Sequence, residues 1–390
     1  MATLVRTPAV RRAVLPAQPH RAKAGWVRDL GPNWYASVMG TAIVATAGAT
    51  LPVHVPGLRA AAVVVWAFSC VLLAVLLSAR ALHWIHHRDR AREHLMDPAV
   101  APFLGCAPMA LLAVGGATLV VGRDWIGSGA AVAVDAVLFT AGTAAGLAVA
   151  VAVPYLMVVH HRVEHASPAW LLPVVPPMVS AALGPLLVPH LPAGGPWRES
   201  LLYTCHALFG LSLLATLLIL PLVFGRLVTA GPPPLALTPT LFLVLGPLGQ
   251  SATAAGKFAD AAPGVLPAPY AEGFTVFAVL YGVPVTGFAL LWLGLAGVLV
   301  LRARRRGMGF ALSWWAFTFP VGTCVTAAEA LAGHTGLGLF RWLAAGLYAL
   351  LVAAWLTAAA LTARGLVSGA LLPGPGRVPG APRPATARTR

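Results

Sequence analysis

The chain has 390 residues, of which 59% are hydrophobic and only 9% charged. Soluble domains carry about 25% charged residues, so a water-soluble globular fold is excluded and the length must be spent on membrane spans. The net charge is +15, carried by 24 arginines and two lysines against 11 acidic residues. In a soluble protein that charge would suggest a nucleic-acid partner. Here the basic residues fall in loops and tails, where membrane topology accounts for them and no nucleic acid is needed.

Residues 1–30 form a basic tail, with no acidic residue before Asp29 and no continuous apolar stretch of the kind a secretory signal carries. Ten apolar spans follow, at about 33–51, 59–82, 100–121, 130–158, 169–190, 200–224, 238–258, 273–301, 310–332 and 338–363. Each reaches the roughly 20 residues that cross a hydrocarbon core. Residues 31–363 are thus one ten-span transmembrane domain. Residues 364–390, rich in Pro, Gly, Arg and Ala, read as a disordered tail. With the N-terminus inside, 21 of the 26 Lys and Arg face the cytoplasm. The other five, Arg59, Arg123, Arg198, Lys257 and Arg341, lie outside. That asymmetry predicts a multi-pass protein of the plasma membrane with both termini cytoplasmic.

Prolines recur deep in the odd-numbered spans: Pro108, then Pro173, Pro176 and Pro177, then Pro247, then Pro320. Span 1 has Gly40 instead, and the even spans keep prolines mostly toward their ends (Pro154, Pro221), apart from Pro284. Interior proline bends a helix and frees a carbonyl, which in lipid needs a protein-buried or water-lined position. The expected architecture is all-α: five hairpins in a ring, with the kinked odd helices inside.

No nucleotide-binding loop is present, since Gly249 through Lys257 has the wrong glycine spacing. The chain alone is therefore not expected to be an ATP-driven pump. Cys70, Cys106, Cys205 and Cys324 lie singly in apolar spans and read as small hydrophobes. His83, His86, His87 and His94 follow span 2, and His160, His161 and His165 follow span 4. A metal or haem enzyme could use such groups, but a basic interfacial collar explains them better; no metal, no cofactor and no covalent chemistry are expected. Intramembrane acids are scarce: Asp135 and Glu329 stand near span ends. Tight ion coupling usually places acids at mid-membrane, so a passive path for anions is favoured over a coupled carrier.

An anion path can be lined by small and hydroxyl residues with no fixed cation to trap the ion. The odd spans offer Ser37, Gly40 and Thr41; Gly115 and Thr118; Ser180 and Gly184; Gly246, Gln250 and Ser251; and Gly322, Thr323 and Thr326. Plain helix packing would use the same residue types. In span 9 a helical stripe joins Leu312, Trp315, Phe319, Gly322, Thr323 and Thr326. It sets one ring among small, weakly polar residues, which suits either packing or a narrow polar path.

Gly31-Pro32-Asn33-Trp34-Tyr35 followed by Val38-Met39-Gly40-Thr41 resembles the opening of the tellurite-resistance/dicarboxylate transporter family. That family includes TehA-type bacterial channels, plant slow-type anion channels, malate permeases and sulfite exporters. Cys106-Ala107-Pro108-Met109-Ala110, Pro173 through Ser180, Gly246-Pro247-Leu248-Gly249-Gln250-Ser251 and Trp314 through Pro320 are similar in the same order. The resemblance implies ten helices with quasi-five-fold symmetry around a pore, a homotrimer, and a span-9 phenylalanine closing the pore. Phe319, just before Pro320, matches it. The expected function is an anion-selective channel or uniporter for small inorganic or organic anions. The alternative is a secondary carrier for C4-dicarboxylate, sulfite or tellurite-related oxyanions, with or without proton coupling.

Overall fold

The computed structural model describes residues 25–28, 30–161 and 165–372. Most of both expected tails lies outside the described residues, as does Arg162. Every regular element among the described residues is helical. The main helices are α1 (Tyr35–Thr50), α2 (Leu58–His86), α3 (Cys106–Ala117), α4 (Ser128–Val159) and α5 (Pro176–Leu183). They continue with α6 (Trp197–Ala230), α7 (Leu245–Ala261), α8 (Ala268–Arg305), α9 (Phe319–Thr335) and α10 (Gly338–Val367).

Seven helical stretches among the described residues are long and apolar enough to cross a membrane: α2, α4, α6, α8, α10, and Ala101–Ile126 and Leu235–Ala261, which contain α3 and α7. The remaining three expected spans are built around shorter helices. α1 and α9 have 16 and 17 residues, or about 25 Å of helix. α5 has only 8 and runs into the 3-10 segment Gly184–His190.

The prolines of the odd spans stand where 3-10 helix passes into α-helix, not midway along an α-helix. Each of these spans is a 3-10 segment followed by an α-helix: Pro32–Trp34 before α1, Ala101–Gly105 before α3, Pro168–Leu171 before α5, Leu235–Val244 before α7 and Leu312–Phe317 before α9. Pro108, Pro176, Pro177, Pro247 and Pro320 all fall within the first three residues of the α-helix that follows. The first turn has no intrahelical partner for its N–H groups, so proline costs nothing there and its fixed φ suits the start. The prolines truly inside α-helices are Pro154, Pro221 and Pro284, in the long helices α4, α6 and α8.

Burial divides the helices into two sets. The windows of Ala101–Ile126 and Leu235–Ala261 are 78% and 83% buried, against 22–28% for the five long helices. α1, α5 and α9 are likewise buried over most of their lengths. The long helices expose Val64, Phe68, Val71, Leu214, Leu217 and Leu218, among others, a surface suited to lipid rather than water. Each buried helix packs on the long helix that follows it in the chain. The buried helices also touch in the order α1, α3, α5, α7, α9 and back to α1.

Lipid tails are as apolar as leucine, so close backbone approach must bind these helices. At Gly322 on α9 a Cβ would meet Ile43 of α1 at 2.6 Å. At Gly249 on α7 it would meet the Cys324 backbone nitrogen of α9 at 2.6 Å. Both contacts are closer than any side chain tolerates, and they seat α9 between α1 and α7.

Candidate functional site: a cavity between the five buried helices

A cavity of about 250 Å3 lies between the five buried helices, with the later turns of α1 and α7 on its wall. Its wall takes Ile43, Thr46 and Thr50 from α1, Ala113 from α3 and Val179 from α5. α7 contributes Gln250, Thr253, Lys257 and Asp260; α9 contributes Phe319, Thr326, Glu329 and His334. On α1 and α7 these residues recur at three- and four-residue steps, and on α9 Phe319, Thr326, Glu329 and Gly333 follow at seven, three and four, so each set lies along one helical face.

The Thr253 and Thr326 hydroxyls share a hydrogen bond of 2.7 Å, which fixes the register of α7 against α9. From the helical rise, Phe319 then lies about 10 Å below that pair and Glu329 about 5 Å above it. Lys257, Asp260 and His334 stand farther out. Lys257 Nζ donates to Asp260 Oδ2 at 2.9 Å. His334 Nε2 lies 3.3 Å from Asp260 Oδ1 and 3.2 Å from the Gly256 carbonyl oxygen. Thr50 Oγ1 donates to Glu329 Oε2 at 2.7 Å, while Glu329 Oε1 is buried without a partner. Gln250 is 3% exposed, and its Oε1 also lacks a partner. The mouth is therefore charge-balanced, and beneath it two polar oxygens have bonding capacity to spare.

At the opposite end a pocket of about 20 Å3 lies among the 3-10 segments and helix starts, lined by Asn33, Met39, Cys106, Leu243 and Ala316 among others. A space of 10–15 Å3 holds about one water. The small pocket therefore has room for about one water, against several in the larger cavity. Phe319, 2% exposed, is on the cavity wall three residues beyond Ala316. Phe317 points into other company: its ring stands 4.8 Å from Phe242 and 5.7 Å from Trp314.

Of the other sequence-predicted residues, Gln250 and Thr326 join Phe319 on the cavity wall. Thr41 accepts from Trp355 Nε1 at 3.0 Å and so faces α10. Ser180 bonds Thr143 of α4 at 2.8 Å, and Ser251 accepts from the Tyr281 hydroxyl of α8 at 2.9 Å. Ser37 donates to the Trp34 carbonyl at 2.8 Å. Thr323 donates to the carbonyls of Pro320 and Leu245, at 2.7 and 3.2 Å. Gly40 lies against Thr318, the residue joining the 3-10 segment to α9, and Gly322 against Ile43. None of these predicted residues is on the cavity wall; Thr41, Ser180, Ser251 and Thr323 tie neighbouring helices together. Pro108 borders a lateral groove facing α4. Thr46, Thr50, Thr253, Asp260 and His334 were not singled out from sequence. Their spacing with Gln250 and Phe319 carried the signal.

Among the described residues no group of three or more His, Cys, Asp or Glu could hold a metal ion. His83 is stacked on His94 with ring centroids 5.4 Å apart, and its Nδ1 bonds the Val27 carbonyl at 2.8 Å. The four cysteines are free thiols.

A cavity with a few polar groups, enclosed by buried helices inside a shell of exposed apolar helices, fits a membrane transport protein better than a soluble binding module. The chain belongs to the voltage-dependent anion channel family (SLAC1), whose sequence profile matches residues 29–363. It is 27% identical over 332 residues to an uncharacterized transporter of Methanocaldococcus jannaschii, covering 84% of this chain and 91% of that one. It is also 27% identical over 352 residues to a sulfite efflux pump of Trichophyton rubrum, covering 88% of this chain and 92% of the relative. The sulfite efflux pump of Arthroderma otae matches to the same extent.

Proposed function

We propose that the protein is an anion-selective channel or uniporter in which Phe319 closes the path. Ten spans stand as five hairpins in a quasi-five-fold ring, and the cavity and the small pocket are the two ends of one central path. The observation that carries this reading is the position of the Phe319 ring, buried on the floor of the cavity and short of the pocket beyond. The cyclic contact order of α1, α3, α5, α7 and α9 supports the ring. An apolar ring in a narrow, weakly polar constriction blocks a hydrated ion, and its displacement opens the way. Both termini face the cytoplasm, the plasma membrane is the host, and the assembly is a homotrimer; the first two rest on charge distribution and the last on family resemblance.

The second reading is a secondary carrier for an oxyanion, and the sulfite efflux pumps among the relatives favour it. C4-dicarboxylate and tellurite-related anions are the other candidate cargoes. Current through the reconstituted protein under a chloride gradient decides between the two. A reversal potential that follows chloride supports the channel. No current, with saturable sulfite uptake that follows a proton gradient, replaces it with the carrier.

A further inference from the structure

At the end of the bundle where α1 begins and α2 and α4 finish, a second cavity of about 330 Å3 forms a groove between α2, α3 and α4. Along α4 its wall is apolar, with Ala148, Ala152 and Leu156. Its rim carries Tyr35, Arg80 and Trp84. Trp84 is 39% exposed, as suits an indole at a membrane–water interface.

Arg80 is the anomaly. It is only 9% exposed. Its Nη1 donates to the Leu30 carbonyl at 2.8 Å, but Nη2 is buried with no partner. No carboxylate of the described residues lies within ion-pair distance of it. A guanidinium cannot shed its proton to escape burial, as a lysine can, and an uncompensated buried charge is among the costliest features a fold can carry. The Tyr35 hydroxyl gives its hydrogen to the Leu76 carbonyl at 3.3 Å, and its oxygen does not accept from Arg80 Nη2. Burial, with the Arg80 charge adding to it, pushes the pKa of the nearby His94 imidazole below its ordinary value. His94 is therefore neutral at pH 7, and Arg80 is the charged side chain on the wall of the groove.

Among the described residues no anion answers Arg80, and the groove beside it has a hydrocarbon wall. We propose that this groove is a binding site for an anionic phospholipid. The headgroup phosphate accepts the free Nη2 hydrogens of Arg80, and one acyl chain lies along Ala148, Ala152 and Leu156. A phosphate oxygen suits the planar guanidinium fork, and the exposed alanines leave the width of a chain against α4. Free phosphate would satisfy Arg80 but leave the apolar wall unused.

The test is the melting temperature of the purified full-length protein in detergent. Phosphatidylglycerol, phosphatidylcholine with the same acyl chains, or inorganic phosphate is added. A ligand that binds only the folded state raises the melting temperature, and phosphatidylglycerol should do so by about 3 °C or more beyond phosphatidylcholine. Inorganic phosphate should give almost no shift. Arg80→Leu should abolish the preference for phosphatidylglycerol. Ala148→Phe, which fills the groove and leaves Arg80 in place, should abolish it too. Equal shifts from the two lipids overturn the proposal, as does a preference that survives Arg80→Leu. An inorganic phosphate shift as large as that of phosphatidylglycerol overturns the lipid as occupant. If Arg80→Leu fails to fold, Ala148→Phe decides by the same criterion.

Discussion

Replacing Gly249 by alanine tests how α7 and α9 are held around the cavity. The added Cβ would lie 2.5 Å from Thr323 Oγ1 and 2.6 Å from both the Cys324 nitrogen and the Thr323 carbonyl carbon. Two of these three atoms are backbone and cannot rotate away, so the helices must part by about 1 Å to reach ordinary contact. Overpacking of this kind costs about 1–3 kcal/mol. Alanine returns about 1 kcal/mol through its better helix propensity, leaving a net loss of about 0–2 kcal/mol. Gly246 is the internal control: it lies one turn earlier on α7, and its Cβ would meet nothing within 4 Å. Gly246→Ala should be neutral or slightly stabilising. The two variants then differ by about 2 kcal/mol, or roughly 2–4 °C in melting temperature for a chain of this length. Thermal unfolding in one detergent reads the difference. A Gly249→Ala protein that melts at or above Gly246→Ala would refute close backbone approach as the glue between these helices.

Two further expectations concern the cavity wall and its surroundings. Glu329→Ala takes the acceptor from the Thr50 hydroxyl, which joins α1 to α9 at the cavity wall, so stability should fall by about 1 kcal/mol; an unchanged melting temperature would show that this bond does not hold the two helices. Thr41→Val takes the acceptor from the Trp355 indole, so stability should fall by about 1–2 kcal/mol. Anion selectivity should stay as it was, because this hydroxyl faces α10; altered selectivity would place Thr41 on the path after all.

Composition and proline placement made the division into buried odd and lipid-facing even segments legible in advance. A soluble surface was excluded by charge alone, and proline marks the segments that other protein must cover. The local consequence of each proline was not legible. A proline in mid-span and a proline at a helix start have the same sequence position within an apolar run. Only the 3-10 segments before α1, α3, α5, α7 and α9 distinguish them. The cavity wall was half visible. Gln250, Thr253, Lys257 and Asp260 keep helical spacing on one face, whereas Ser251, one residue on, is turned by about 100° and meets Tyr281 instead. Hydroxyl content chose both kinds of residue, but helix rotation, which hydroxyls do not reveal, decides which ones reach the cavity. The ion-paired mouth was missed because Asp260 and His334 are 74 residues apart and meet only once α7 and α9 are packed.

The central claim is that one ring closes the path, and a paired substitution tests it most directly. Phe319→Ala removes the ring on the cavity floor; Phe317→Ala removes a ring of similar size packed against Phe242 and Trp314. Single-channel or macroscopic current is recorded in a planar bilayer under a chloride gradient, with protein of matched melting temperature. The account predicts a current at least about tenfold above wild type for Phe319→Ala, corresponding to a barrier lowered by about 1.4 kcal/mol or more, and no increase for Phe317→Ala. Wild-type current from a well-folded Phe319→Ala protein, or equal gains from both variants, would contradict it.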